Sequence, residues 1–130
     1  MSVSILIVDD EPDVGELFKR KFRRELRDGE YAMHFAGSGE EALSMLDADV
    51  EPKVMLILSD INMPGMSGVE LLKKSKKRWP NLPVAMITAY GDPESRQKAL
   101  DAGAADFLSK PIDFAELKNK IAKLVPGGGD

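Results

Sequence analysis

The chain has no cysteine, which excludes disulfides, thiolate metal sites and thiol nucleophiles. It has a single histidine, His34, too few for a multi-histidine metal centre. Basic residues are not in excess: 18 Lys and Arg stand against 22 Asp and Glu, a formal net charge of −4, and the basic residues are spread along the chain. That is not the electrostatic footprint of a nucleic-acid binder. No apolar run approaches the ~18–20 residues of a membrane span. Residues 1–8 lack the basic start and small-residue cleavage site of a signal peptide, so the expectation is a soluble cytoplasmic protein. The 130 residues suit one compact domain. We expect it to fill residues 1–125. Residues 126–130, Pro-Gly-Gly-Gly-Asp, have nothing to pack and read as a flexible tail or the start of a linker.

What is present is a repeated alternation. Five short apolar runs, Ile5–Val8, Tyr31–Ala36, Val54–Leu58, Val84–Ile87 and Asp106–Leu108, read as strands. The first, third and fourth are apolar at nearly every position, as in a sheet covered on both faces. Five amphipathic stretches follow them. The first runs from about Pro12 to Arg27, with Val14, Leu17, Phe18, Phe22 and Leu26 at helical spacing and Gly15 weakening it slightly. The second and third open with Ser38/Glu41 and Ser67/Glu70, the spacing of a capping box. The fourth opens with Asp92-Pro93 and stops near Gly103, and the fifth opens with Asp113 and Glu116 and shows Leu117, Ile121 and Leu124 on one face. Five strand–helix units imply an α/β fold, a parallel sheet between two layers of helices.

In such a sheet ligands bind beyond the carboxyl ends of the strands. Strand one ends in Asp9-Asp10, strand three in Asp60, strand four in Thr88 and strand five in Lys110-Pro111, whereas strand two ends blandly in Ala36-Gly37-Ser38. The strand order 2-1-3-4-5 fits this distribution. It puts strand two at an edge and gathers Asp9, Asp10 and Asp60 at the central crevice, with Thr88 and Lys110 opposite. One lysine does not balance three carboxylates, and hard oxygen ligands suit Mg²⁺ (or Mn²⁺). The pocket then reads as a phosphoryl-transfer site. Asp60 is the nucleophile, Lys110 and the metal neutralise phosphoryl oxygens, and Thr88 donates a hydroxyl hydrogen bond.

Four segments together resemble the receiver domain of two-component response regulators. They are Ile5-Leu6-Ile7-Val8-Asp9-Asp10-Glu11, Leu58-Ser59-Asp60-Ile61-Asn62-Met63-Pro64-Gly65-Met66-Ser67-Gly68, Met86-Ile87-Thr88-Ala89, and Ala102 through Pro111. The resemblance spans about Ser4 to Leu124 and implies a flavodoxin-like (βα)5 fold. It implies that Asp60 takes phosphate from a sensor histidine kinase or phosphotransfer protein, without the chain being an enzyme beyond this self-catalysed chemistry. It implies Mg²⁺ ligation by Asp10, Asp60 and the Asn62 backbone carbonyl, with Asp9 acting largely through water and Glu11 outside the metal shell. Thr88 and Phe107 become the switch residues. The face of the fourth helix, fifth strand and fifth helix becomes the surface that controls a partner or output domain, and a dimer on phosphorylation is compatible with it. Asn62 and Tyr90 flank the path of the hydrolytic water, where bulky Tyr90 is expected to lengthen the signal. A cis Lys110–Pro111 bond is expected to aim the lysine inward. Phe107 lacks a tyrosine hydroxyl, and the segment Asp47–Lys53 is slightly long.

Each residue also has a plainer reading. Asp60 suits a turn before Asn62-Met63-Pro64-Gly65, and Pro64-Gly65 suits a type II turn that fixes the loop carrying Asn62. Asp9-Asp10 can cap a helix, and Thr88 is a residue common in strands. His34 reads as a sheet-face residue, Trp79 as packing at the end of the third helix, the methionines as core filler, and Lys73–Arg78 as a solvated helix face. Three other functions compete. A phosphohydrolase commonly has a second aspartate two residues after the nucleophile, where this chain has Asn62. A degenerate, phosphate-independent scaffold would not need all the key residues. A flavin site would need a phosphate loop where Asp9-Asp10-Glu11 stands.

Overall fold

The computed structural model describes residues 3–89 and 92–125. The elements run β1 (Val3–Val8), α1 (Asp13–Lys21), α2 (Arg23–Arg27), β2 (Tyr31–Ala36), α3 (Gly39–Asp47), β3 (Leu56–Asp60), α4 (Gly68–Arg78), β4 (Val84–Thr88), α5 (Pro93–Asp101), β5 (Asp106–Ser109) and α6 (Phe114–Leu124). The five strands form one parallel sheet in the order β2-β1-β3-β4-β5. β1, β3 and β4 are buried at every residue, while β2 and β5 at the edges are half-buried.

Alternation along the central strands makes two cores. Leu6, Val8, Ile57 and Met86 face one core with Leu71, Leu72 and Ala99. Ile5, Ile7, Leu56, Leu58 and Ile87 face the other with Phe18, Phe22, Leu117 and Ile121.

Three expectations need correction. The first helix is two: Phe22, at φ −106° and ψ 19°, breaks α1 from α2. The Phe22 and Leu26 amides still donate to the Phe18 and Phe22 carbonyls, at 2.9 and 2.8 Å, so the four-residue spacing survives the break and apolar periodicity does not reveal it. Phe22 itself is fully buried against Tyr31 and Phe114. The fourth and fifth predicted helices are therefore α5 and α6. The third strand begins and ends two residues later than expected. Its last residues, Ser59 and Asp60, are polar but buried, and Ile61 continues the backbone pairing with Ile87 at 3.2 Å. Met55 is 40% exposed and fills no core, although Met63, Met66 and Met86 do.

The helix starts follow their caps. Ser67 and Glu70 form the full reciprocal box at α4. At α3 only half of it forms: Ser38 Oγ accepts from the Glu41 amide, and the Glu41 carboxylate takes the Gly37 amide instead. Asp92 and Asp113 cap α5 and α6. Gly65 has φ +74°, as the third position of a type II turn requires. His34, half-buried on β2, has its Nε2 3.2 Å from the Pro52 carbonyl. Trp79 ends α4, with Arg78 stacked over its ring.

Candidate phosphoryl-transfer site

The carboxyl ends of β1 and β3 are neighbours because those strands pair directly, Val8 opposite Ser59. The next residues, Asp9 and Asp60, therefore emerge side by side, both almost fully buried. Asp10 is exposed. One carboxylate oxygen from each of Asp9, Asp10 and Asp60 lies within 4.8 Å of the others. At that spacing two unit charges repel by roughly 3 kcal/mol for an effective dielectric of ~20.

Lys110 answers part of that charge. It follows β5, its amide donates to the Thr88 carbonyl at 2.9 Å, and the Lys110–Pro111 peptide is cis. Its Nζ lies 2.9 Å from Asp60 Oδ2, 3.8 Å from Asp9 Oδ2 and 3.9 Å from Glu11 Oε1. Burial works against the Lys110 charge, but the Asp60 hydrogen bond and the fields of Asp60, Asp9 and Glu11 outweigh it and raise the ammonium pKa. Burial also raises the Asp9 carboxyl above its ordinary range. The Glu11 amide, donating to Asp9 Oδ1 at 2.9 Å, opposes that shift, and the Asp60 charge reinforces it.

The Lys110 ammonium thus faces three carboxylates, and Asp10 adds a fourth to the cluster. The cluster has the hard oxygen donors and the excess negative charge that fit a divalent cation such as Mg²⁺. Asp9, Asp10 and Asp60 are the side chains able to hold it. The second oxygen of Asp60, Oδ1, accepts from the Asn62 amide at 3.2 Å.

The loop beyond Asp60 is fixed by a close approach. Gly68 opens α4 against the end of β3, and its amide donates to the Ile61 carbonyl at 2.8 Å. A Cβ on Gly68 would stand 2.3 Å from the Asp60 carbonyl oxygen and 2.8 Å from Ile61 Cα.

Other sequence-selected residues lie around this centre. Thr88 is buried at the end of β4, and its hydroxyl donates to the Leu108 carbonyl on β5 at 3.4 Å. Phe107 is half-buried, with the Arg96 guanidinium 4.9 Å from its ring centroid. Tyr90 lies outside the described residues. Sequence reasoning missed one contact: Asn62 Nδ2 donates to Asp92 Oδ2 at 3.4 Å, linking the loop after β3 to the first turn of α5. The two residues are thirty positions apart, and Asp92 reads in the sequence only as a helix cap.

The sequence model of the response regulator receiver domain matches residues 5–122, nearly the whole described chain. The chain belongs to the response regulator receiver domain family. It is 42% identical over 117 residues to the response regulator protein PilR of Pseudomonas aeruginosa, covering 90% of this chain and 25% of PilR. It is 32% identical to the sporulation initiation phosphotransferase F of Bacillus subtilis, covering 97% of this chain and 96% of that one. Among solved structures, the response regulator protein TrrA of Thermotoga maritima, in complex with Mg²⁺ and BeF, superimposes with a TM-score of 0.78 at 34% identity. That match covers 95% of this chain and 99% of TrrA. The receiver spans about half or less of the first curated relatives it matches. Its parallel sheet, in the order β2-β1-β3-β4-β5, is that of a receiver with a flavodoxin-like fold. Among the described residues no helix is long and apolar enough to cross a membrane.

Proposed function

We propose that this receiver is a phosphorylation switch whose acceptor is Asp60. The observation that carries the reading is the Lys110 ammonium, 2.9 Å from Asp60 Oδ2, inside the Asp9–Asp10–Asp60 cluster. An Asp60 carboxylate oxygen attacks the phosphorus of a phosphohistidine on a sensor kinase or phosphotransfer protein. The P–N bond breaks, the donor imidazole leaves with the bonding pair and takes up a proton, and Asp60 becomes an acyl phosphate. Asp9, Asp10, Asp60 and the Asn62 backbone carbonyl hold Mg²⁺ (or Mn²⁺), which when bound neutralises phosphoryl oxygens. The Mg²⁺–BeF complex of TrrA supports this, since beryllium fluoride is a tetrahedral stand-in for a phosphoryl group. The donor histidine approaches over an open depression of about 430 Å³ beside Asp9 and Lys110, walled by Leu17, Ile112 and Phe114.

The switch needs differential binding of the phosphoryl group in the active shape. Moving a population from 1:99 to 99:1 requires ~5.5 kcal/mol. Lys110 already holds Asp60 before phosphorylation, so its differential contribution is reduced. Thr88 therefore carries a large share: its hydroxyl leaves the Leu108 carbonyl and donates to a phosphoryl oxygen, a bond to a charged group worth about 1.5–3 kcal/mol. Phe107 then turns inward, and the α5/β5/α6 face is remodelled for a partner or output domain, or a second phosphorylated copy. Residues 1–125 act as the receiver unit, and the tail expected at 126–130 lies outside the described residues. The chain's own chemistry is confined to gaining and losing one phosphoryl group. A phosphohydrolase is disfavoured because Asn62 cannot shuttle a proton.

The test is an NMR titration with Mg²⁺ and then BeF. Mg²⁺ is expected to shift the amides of Asp9, Asp10 and Asp60. Adding BeF is expected to extend the shifts to Thr88, Phe107 and α6. BeF-induced shifts that survive in Asp60→Asn would contradict the reading.

A further inference from the structure

We infer that Asp92 is a positioning residue that holds the Asn62 side chain over the mouth of the acceptor site and slows the loss of phosphate from Asp60. The inference rests on Asp60 being the acceptor. Asn62 is tied to that carboxylate by its own backbone amide, 3.2 Å from Asp60 Oδ1, so its side chain starts at the edge of the site. Its amide nitrogen then reaches across to Asp92 Oδ2 at 3.4 Å. A carboxylate can only accept here, which fixes the Asn62 amide group with its nitrogen toward α5.

Asp92 divides its two oxygens between two tasks. Oδ1 accepts from the Ser95 amide at 3.3 Å and caps α5, and Oδ2 accepts from Asn62. The β3–α4 loop and the start of α5 are thereby joined by side chains across the carboxyl end of the sheet. With one of its two Nδ2–H groups donated to Asp92, the Asn62 amide is fixed in orientation and cannot turn to position a water for attack on the acyl phosphate. Release of the clasp lets the amide turn toward the phosphorus. Hydrolysis then adds water to phosphorus, breaks the P–O bond to Asp60, and returns a carboxylate and inorganic phosphate.

The two tasks can be separated because serine has one side-chain oxygen. Asp92→Ser keeps a good N-cap for α5 and removes the acceptor for Asn62. The measurement is the first-order loss of phosphate after charging with acetyl phosphate and Mg²⁺, in wild type, Asp92→Ser, Asn62→Ala and the double variant. Asp92→Ser is expected to lose phosphate about two- to tenfold faster, the range for one exposed hydrogen bond. In the Asn62→Ala background the same substitution is expected to have little effect. An equal effect in both backgrounds would assign it to the lost charge or to α5 and overturn the clasp, as would an unchanged rate in Asp92→Ser. The clasp is also read without phosphate. The Asn62 side-chain amide resonances of the uncharged protein are expected to move, and their solvent exchange to quicken, in Asp92→Ser. Unmoved resonances would overturn it, whereas a failure of wild type to take up phosphate would fall on the acceptor reading instead.

Discussion

Gly68→Ala is predicted to destabilise the protein even though alanine is the better helix former. In an unhindered helix interior, alanine gains roughly 0.5–1 kcal/mol over glycine. Gly68 opens α4 with a backbone that alanine can adopt, so conformation does not oppose the change. Space does: the new Cβ would stand 2.3 Å from the Asp60 carbonyl oxygen, 2.8 Å from Ile61 Cα and 3.0 Å from the Asp60 carbonyl carbon. All three are backbone atoms of a buried strand end and cannot rotate away. Relief requires α4 to lift or β3 to shift, at the ~1–3 kcal/mol typical of overpacking. At about 4 °C per kcal/mol for a chain of this size, Tm is expected to fall by about 4–12 °C. Gly15→Ala is the control. Its Cβ would meet only the Phe35 ring at 3.5–3.8 Å, ordinary contact, and the variant is expected to gain about 0.5–1 kcal/mol. Thermal and urea unfolding measure both. Phosphoryl uptake by Gly68→Ala is expected to slow as well, because the residue displaced is Asp60. A Gly68→Ala protein as stable as wild type would refute the close approach as the reason for glycine there.

Two further predictions concern other parts of the fold. The Glu25 carboxylate, buried between α2 and α6, accepts a hydrogen bond from Lys118, which holds its pKa below the usual value of 4.5 despite burial. A lowered folded pKa means the pair's stabilisation is present above that usual value and is lost as pH falls through the folded one. Urea midpoints across that acid range are therefore expected to fall more steeply for wild type than for Glu25→Gln. Lys118→Met, which strands the carboxylate, is expected to cost about 1–3 kcal/mol at neutral pH; equal acid sensitivity in wild type and Glu25→Gln would discount the pair. Thr88→Ala is expected to accept phosphate on Asp60 with little loss, while the BeF-induced shifts at Phe107 and α6 shrink. Full propagation in Thr88→Ala would remove its hydroxyl from the switch.

Much of the fold was legible because local and global signals agree. The buried strands β1, β3 and β4 each contain an apolar run, Ile5–Val8, Leu56–Leu58 and Val84–Ile87, and the starts of α4, α5 and α6 have capping residues where the helices begin. The strand order was legible from chemistry, since it brings Asp9, Asp10 and Asp60 together and leaves the bland end of β2 at an edge. The break at Phe22 was not legible because it preserves the four-residue apolar spacing on both sides. The end of β3 was hidden by Ser59 and Asp60, whose polarity masks their burial. The Asn62–Asp92 hydrogen bond was hidden because it joins loops whose residues already had local explanations, a turn and a cap. In the site, the grouping of Asp9, Asp60 and Lys110 was legible, but the Thr88 hydroxyl turns toward the Leu108 carbonyl on β5 rather than toward Asp60, a direction with no signal in the local sequence.

The central claim is that Asp60 is a Mg²⁺-dependent phosphoryl acceptor. The most direct measurement is intact-protein and peptide mass spectrometry after incubation with acetyl phosphate, with Mg²⁺ or with a chelator, on wild type and Asp60→Asn. The account predicts one phosphoryl increment, located on the peptide containing Asp60, present only with Mg²⁺ and absent from Asp60→Asn. An increment that persists in Asp60→Asn, or one indifferent to Mg²⁺, would contradict it.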